Sequence, residues 1–210
     1  MKSLDRINQE ALILFAEKGY YGTSLSMIAN AVGIRKSSIY AHYNSKDELF
    51  IAVVQFVAGL YKAKLEQFFA VLKEVDHPVE HQLYHVLRWY MQLWVDKKNA
   101  TKFWRRIGLF PPEHLENEIK RISAETVAQS FHKELADIFR KGVENGELRN
   151  VPSEKLVALF QILIDGILTA ILLNDYQETT ELIQDGWHHF WSGIKAADIR
   201  QTNTGEIKNV

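Results

Sequence analysis

The chain has 210 residues, 47% of them hydrophobic, with 25 Lys and Arg against 26 Asp and Glu, a formal net charge of −1 and no cysteine. That length suffices for a small domain joined to a larger one, and the lack of cysteine excludes a disulfide framework or a thiolate metal site and points to a reducing cytosol. The near-neutral total hides an asymmetry: residues 1–46 hold six Lys or Arg against three acids and residues 47–210 nineteen against twenty-three, so one end suits phosphate.

The N-terminal run MKSLDRINQEALILF alternates charged and apolar residues. It has no continuous hydrophobic region, which argues against a signal peptide. Ser3 is expected to cap a first helix, with Leu4, Ile7, Ala11, Leu14 and Phe15 at helical spacing and Gly19 as its stop. Thr23 or Ser24 caps a second helix, about Ser24 to Ala31, whose inward face is Leu25, Ile28, Ala29 and Val32. Gly33 breaks that pattern, and a third helix runs from about Lys36 to Tyr43. Ala29, Gly33 and Ile39 supply a small residue where helices cross, a turn glycine and an aliphatic plug, the needs of a helix-turn-helix. Arg35, Lys36, Ser37, Ser38, Tyr40 and His42 are left outside, and no Asp or Glu lies between Lys18 and Lys46. The competing reading is a hairpin that only packs, its charges solvating the outer face.

Ser45 and Glu48 have capping-box spacing at the start of a long helix to about Lys73. Asp76-His77-Pro78 breaks the chain, and helices follow over Val79 to Val95 and Ala100 to Leu109, divided at Lys97-Lys98-Asn99. Beyond Phe110-Pro111-Pro112 one long helix is expected from Glu113 to Val143, with Val127 and Phe131 on its spine and Asn145-Gly146 closing it. Ser153 is expected to cap a helix to about Asn174 that is apolar around most of its circumference, so it needs two neighbours. Leu156 to Leu173 is long enough to consider as a membrane span, but Gln161, Asp165 and Thr169 run along one stripe, and a central Asp costs about 2.5–3.5 kcal/mol to insert. A last helix covers about Glu178 to Ala196, and the polar tail 198–210 reads as disordered. Strand signals are absent, so the fold class is all-α, with a three-helix helix-turn-helix domain over 1–46 and a larger helical domain over 47–197.

Gly19-Tyr20, Thr23-Ser24, Ile28-Ala29, Val32-Gly33-Ile34, Lys36, Ser38-Ile39-Tyr40, His42-Tyr43 and Ser45-Lys46-Asp47-Glu48-Leu49-Phe50 together resemble the N-terminal signature of the TetR family of bacterial transcriptional regulators. In a helix-turn-helix the start of the second helix meets base edges, which here means Arg35, Lys36, Ser37 and Ser38. The resemblance implies Lys36 and Ser37 as base readers, Tyr40, His42 and Lys46 as phosphate contacts, and Leu25's amide with Ser24 or Ser26 on the opposite backbone. Ala41 departs from the pattern, many relatives having an aromatic there.

The resemblance further implies a homodimer through the last two helices, with Leu156, Phe160, Leu163, Ile167, Ile171, Trp187, Phe190, Trp191 and Ile194 in a four-helix bundle. It also implies a pocket for a small apolar effector, to which Trp89, Tyr90, Trp94, Phe103, Trp104, Phe110 and Phe131 are assigned, with Asp165 orienting a polar group. For any one aromatic the plainer reading is ordinary core, and for the stripe holding Asp165 it is a dimer interface or solvent.

His77, His81 and His85 recur every fourth residue, yet Pro78 separates the first from the others and no carboxylate or thiolate completes a recognised spacing, so they read as a surface row. His188-His189 points to two helix faces. No nucleophile-base pair, glycine-rich phosphate loop or metal cluster supports catalysis, and no cofactor is implied. The expectation is a cytoplasmic dimeric repressor that binds a near-palindromic double-stranded operator and is released by its effector. The alternatives are an all-helical small-molecule-binding protein or enzyme with no role on DNA, and an activator or nucleoid-type binder that never releases.

Overall fold

A computed structural model describes residues 3–74, 77–173 and 179–197. Asp76, Asn174, Glu178 and the tail 198–210 lie outside the described residues, as do the side chains of Trp94 and Val127. The helices are α1 Ser3–Lys18, α2 Leu25–Val32, α3 Lys36–Tyr40, α4 Lys46–Lys73, α5 Val79–Asp96, α6 Lys98–Leu109, α7 Glu116–Ser123, α8 Gln129–Glu144, α9 Ser153–Leu173 and α10 Thr179–Ile194. A 3-10 turn, Glu113–Leu115, precedes α7, and a π-helical turn, Ala124–Ala128, separates α7 from α8. No strand occurs among the described residues, and none of their helices is long and apolar enough to cross a membrane.

Three boundaries differ from the sequence reading. The third helix stops at Tyr40, because the amides of His42 and Tyr43 both turn back to the Ile39 carbonyl. The break at Lys97-Lys98-Asn99 shrinks to Lys97, whose φ −119 and ψ 44 leave the helical region. The helix expected unbroken from Glu113 to Val143 widens over Ala124–Ala128, where the Thr126 hydroxyl donates to the Ile122 carbonyl and so competes with the backbone ladder.

Two compact units are present. The first comprises residues 1–76 and 90–133. Its centre is an aromatic cluster in which Phe15 of α1 meets Phe50 of α4 edge-on at 4.8 Å and Phe103 of α6 lies 5.5 Å from Phe50. All three rings are buried, so the helix-turn-helix shares one core with α4 and α6.

The second unit comprises residues 77–89 and 134–210. Here α9 packs on α10 where Gly186 lets the chains approach: a Cβ there would stand 3.1 Å from Leu163 and 3.3 Å from Ile167. Phe160 lies between Phe139 of α8, at 5.9 Å, and Phe190 of α10, at 5.5 Å. The end of α10 is tied back to the segment before α9 through Arg149 N–H to the Ile194 carbonyl and Ala196 N–H to the Glu147 carbonyl, both 2.9 Å. Ser153 falls inside the first turn of α9 and does not cap it there; its hydroxyl donates to Glu154 Oε1 at 3.2 Å, and the amides of Lys155 and Leu156 turn back to the Pro152 carbonyl.

Candidate nucleic-acid interface

The start of α2 is set by Ser24, whose backbone is extended and whose Oγ accepts the Met27 amide at 3.2 Å. Of the two cap candidates Thr23 is not the one: it is buried, its hydroxyl donating to the Gly19 and Leu14 carbonyls at 2.8 and 3.1 Å. At the other end Gly33 adopts φ +77, open to a residue without a Cβ, and Ile34 N–H returns to the Ala29 carbonyl at 3.0 Å. Arg6 of α1 donates to the Val32 carbonyl at 2.9 Å, a support for the turn that periodicity alone does not reveal. The crossing of α2 and α3 is closed by Ala29 and Ile39, both buried. Tyr43, just past α3, donates its hydroxyl to Asn8 Oδ1 at 2.6 Å and pins this end to α1.

Anchoring α3 through one buried residue, Ile39, leaves Arg35, Lys36, Ser37, Ser38, Tyr40 and His42 exposed together, with Ser24 and Ser26 exposed at the start of α2. The Leu25 side chain is buried, so only its backbone could serve a ligand. Lys36 Nζ stands 5.7 Å from the centre of the Tyr40 ring one turn on, which biases the ammonium toward that side of the helix. This surface offers cations, hydroxyl donors and helix N-termini, the groups that bind phosphate oxygens and purine acceptors.

Lys46 is engaged within the first unit. Its Nζ, expected on a phosphate, turns inward to the Tyr20 and Thr23 carbonyls at 3.0 and 3.2 Å and lies 3.9 Å from the centre of the Tyr20 ring. The loop between α1 and α2 bends its carbonyls toward the first turn of α4, and an ammonium is the nearest strong donor. Tyr20 in turn donates its hydroxyl to Asp47 Oδ1, and burial followed by the neighbouring carboxylate holds that phenol well above the ordinary tyrosine range. The capping box also forms with a difference: Ser45 Oγ accepts the Glu48 amide at 3.0 Å, while Glu48 accepts from the backbone and side chain of Asn44 at 2.7 and 2.9 Å.

Residues 7–53, which span α1 to α3 and the first turns of α4, match the model of the bacterial regulatory proteins of the tetR family. Over these residues the chain is similar to the TetR family. Over 46 residues, 22% of this chain, it is 48% identical to the biofilm operon icaADBC HTH-type negative transcriptional regulator IcaR of Staphylococcus epidermidis, and it spans 25% of the length of that relative. Among solved structures it is similar to the transcriptional regulator FadR of Bacillus subtilis in complex with stearoyl-CoA, with TM-score 0.69 and 18% identity over 90% of this chain and 98% of that one. It is also similar to AibR in complex with isovaleryl coenzyme A and operator DNA, with TM-score 0.68 and 18% identity over 90% of this chain and 97% of that one. At these identities the likeness is one of fold.

The aromatics assigned to an effector separate into groups. Phe103 is fully buried, its ring packed against Phe15 of α1 and Phe50 of α4. Phe110 is 77% exposed, since it lies past the end of α6, where the chain leads into two prolines. Asp165 is exposed on α9, and its carbonyl accepts the Thr169 hydroxyl at 2.7 Å. Trp89 is half-buried in the second unit. Trp104, Tyr90 and Phe131 fall in the first unit with Tyr61 and Phe69 of α4, which the sequence reading did not single out. Trp104 lies 5.8 Å from Tyr61, and Phe131 lies 5.2 Å from Tyr90 and 6.1 Å from Phe69. Tyr61 pairs with Thr101, hydroxyl to hydroxyl at 3.2 Å, and burial pushes the Tyr61 phenol up to about 12.

The residues assigned to dimerisation divide too. Leu156, Phe160, Ile167, Trp187 and Ile194 are buried within the second unit and keep almost no surface for a partner, whereas Leu163, Ile171, Phe190 and Trp191 are half-buried. Among the described residues of this pair, the large apolar side chains that face outward are Leu159, Ile162 and Leu182, at 48%, 69% and 40% exposure. A spacing of three or four residues on α9 puts Leu159 and Ile162 on one face with Asp165, Gly166 and Thr169. Periodicity could not identify that face, because the helix is apolar nearly all round. His77 is brought beside both His81 and His85, ring centres 6.4 and 6.2 Å away, although no group of three or more His, Asp or Glu among the described residues is placed to hold a metal ion.

Proposed function

We propose that the protein is a sequence-specific transcriptional repressor that binds double-stranded DNA as a homodimer and lets go on binding a small apolar effector. The observation that carries the DNA reading is the acid-free exposed surface of α3, Arg35 to Ser38 with Tyr40 and His42, set beside the Ser24-capped start of α2. Lys36 and Ser37 read base edges in the major groove, while Tyr40, His42, Ser24, Ser26 and the Leu25 amide take phosphates. A two-fold dimer requires a near-palindromic operator with half-sites about 34 Å apart or a multiple of that. The dimer forms across the outer face of α9 and α10, around Ile162, Leu159 and Leu182. IcaR is a negative transcriptional regulator, which supports repression, and a chromosomal DNA partner supports a cytoplasmic location.

For the effector, the acyl-CoA complexes of FadR and AibR support an acyl chain as the apolar part. In this chain the aromatic set around Tyr61, Trp104, Tyr90 and Phe131 would receive it, with the Tyr61–Thr101 hydroxyls as its polar point. Release then needs a differential affinity of about 1–3 kcal/mol between two states.

The test is selection from random duplexes at low salt, followed by titration of the enriched duplex by fluorescence anisotropy with and without long-chain and branched acyl-CoAs. The expected result is a near-palindrome bound by a dimer, with affinity falling steeply as salt rises and falling again when one acyl-CoA is added. Binding with no enriched sequence would favour a nucleoid-type role. Binding of an acyl-CoA with no affinity for any duplex would favour an all-helical small-molecule binder.

A further inference from the structure

The DNA reading above names residues in 24–42, yet the loop that leads into them is held by a residue far along the chain. His114, in the 3-10 turn after α6 and outside the matched residues 7–53, places Nε2 3.2 Å from Asp47 Oδ2 and packs its ring edge-on to Tyr20 with centres 5.4 Å apart. The other oxygen of the same carboxylate accepts the Tyr20 hydroxyl. The Tyr20 and Thr23 carbonyls accept Lys46 Nζ, and the Thr23 hydroxyl ties the loop back to α1 through the Leu14 and Gly19 carbonyls. Ser24, the cap of α2, is the next residue. An unbroken set of polar contacts thus runs from His114 to the helix start that would meet a phosphate.

We propose that His114 is a positioning residue for DNA binding: through Asp47 and Tyr20 it holds the α1–α2 loop so that the first turn of α2 is presented at the right height and angle. The inference rests on the DNA reading of this surface. Each oxygen of Asp47 has a different partner, so removing the imidazole lets the carboxylate rotate and carry the Tyr20 hydroxyl with it. Arg106 of α6 adds a weaker tether, its guanidinium 3.4 Å from the Glu17 carbonyl and within 3.1 Å of where a Cβ on Gly19 would lie. His114 and Asp47 are both nearly half exposed, with side-chain exposures of 47% and 43%, so their coupling is small in water and the expected effect is correspondingly modest. It acts on phosphate anchoring, so it is the same for every sequence.

The experiment measures Kd on the selected operator and on a scrambled duplex for full-length wild type, His114→Ala, His114→Gln, Asp47→Ala and the double variant His114→Ala/Asp47→Ala, with thermal unfolding recorded for each. His114→Ala is expected to raise both Kd values by the same factor, about three- to fivefold, at unchanged melting temperature. His114→Gln, which keeps a donor, should recover most of that loss, and His114→Ala should cost nothing further in the Asp47→Ala background. An unchanged Kd in His114→Ala, full additivity with Asp47→Ala, or no recovery in His114→Gln would each overturn the proposal. A wild type that binds no duplex would sink the DNA reading and this inference with it, whereas a wild type that binds specifically while His114→Ala matches it would sink the inference alone.

Discussion

Helices α3 and α9 are both incompletely covered, and what each leaves uncovered differs in kind. The five-residue α3 is held by one buried side chain, Ile39, and everything it exposes is cationic, hydroxylic or aromatic with a polar tip. By contrast α9 is 21 residues long, is buried along Leu156, Val157, Phe160, Ile164, Ile167 and Leu168, and still exposes Leu159 and Ile162. A polar surface on a rigid support waits for a charged, hydrated ligand, whereas isoleucine at 69% exposure is stabilised by another apolar surface. The first needs its base-reading groups aimed; the second needs only shape and area. Substitutions on α3 should therefore change which duplex is bound, and substitutions on α9 whether any duplex is bound tightly.

The largest expected effect comes from putting a charge where the apolar face is most exposed. Ile162→Asp should turn a dimer into a folded monomer by sedimentation and weaken operator binding about a hundredfold or more, because the second half-site no longer contributes avidity. A variant that stays dimeric would move the interface elsewhere. Lys36→Ala should cost about 1–3 kcal/mol on the best operator and relax preference at one base pair, read by repeating the selection with the variant. If the enriched sequence is unchanged, the groove assignment of α3 fails. Lys46→Ala separates aiming from binding, because its ammonium holds loop carbonyls: a loss of about 1–3 kcal/mol in chemical denaturation is expected together with an equal weakening on all duplexes. Stability equal to wild type would return Lys46 to a direct phosphate role. Smallest is Ser24→Ala, where loss of the cap should cost about 1 kcal/mol of stability, with sequence preference untouched.

The head was legible because its signals are local. Gly33 needs a left-handed turn, Ser24 and Ser45 sit at helix starts, and Ile39 is the one aliphatic side chain in a polar run, so each residue's role follows from its near neighbours. Tyr61 and Phe69 escaped notice because aromatics on a long helix look alike until a partner helix selects some of them. The packing of Phe103 was hidden for the same reason, since its neighbours Phe15 and Phe50 lie far away in sequence. On α9 the direction of the free face depends on where α10 and α8 arrive, and an apolar circumference carries no mark of that.

From the sequence alone came the all-helical class, the helix-turn-helix with its positive exposed face, the capped helix starts and the need of α9 for two neighbours, all consequences of spacing and backbone chemistry within a few turns. Tertiary structure alone decided that Lys46 faces inward, that His114 reaches Asp47, that the helix-turn-helix shares its core with α4 and α6, and which aliphatics of α9 stay uncovered. Those outcomes depend on contacts between residues tens of positions apart, and a side chain with several possible partners takes the one that packing brings within reach.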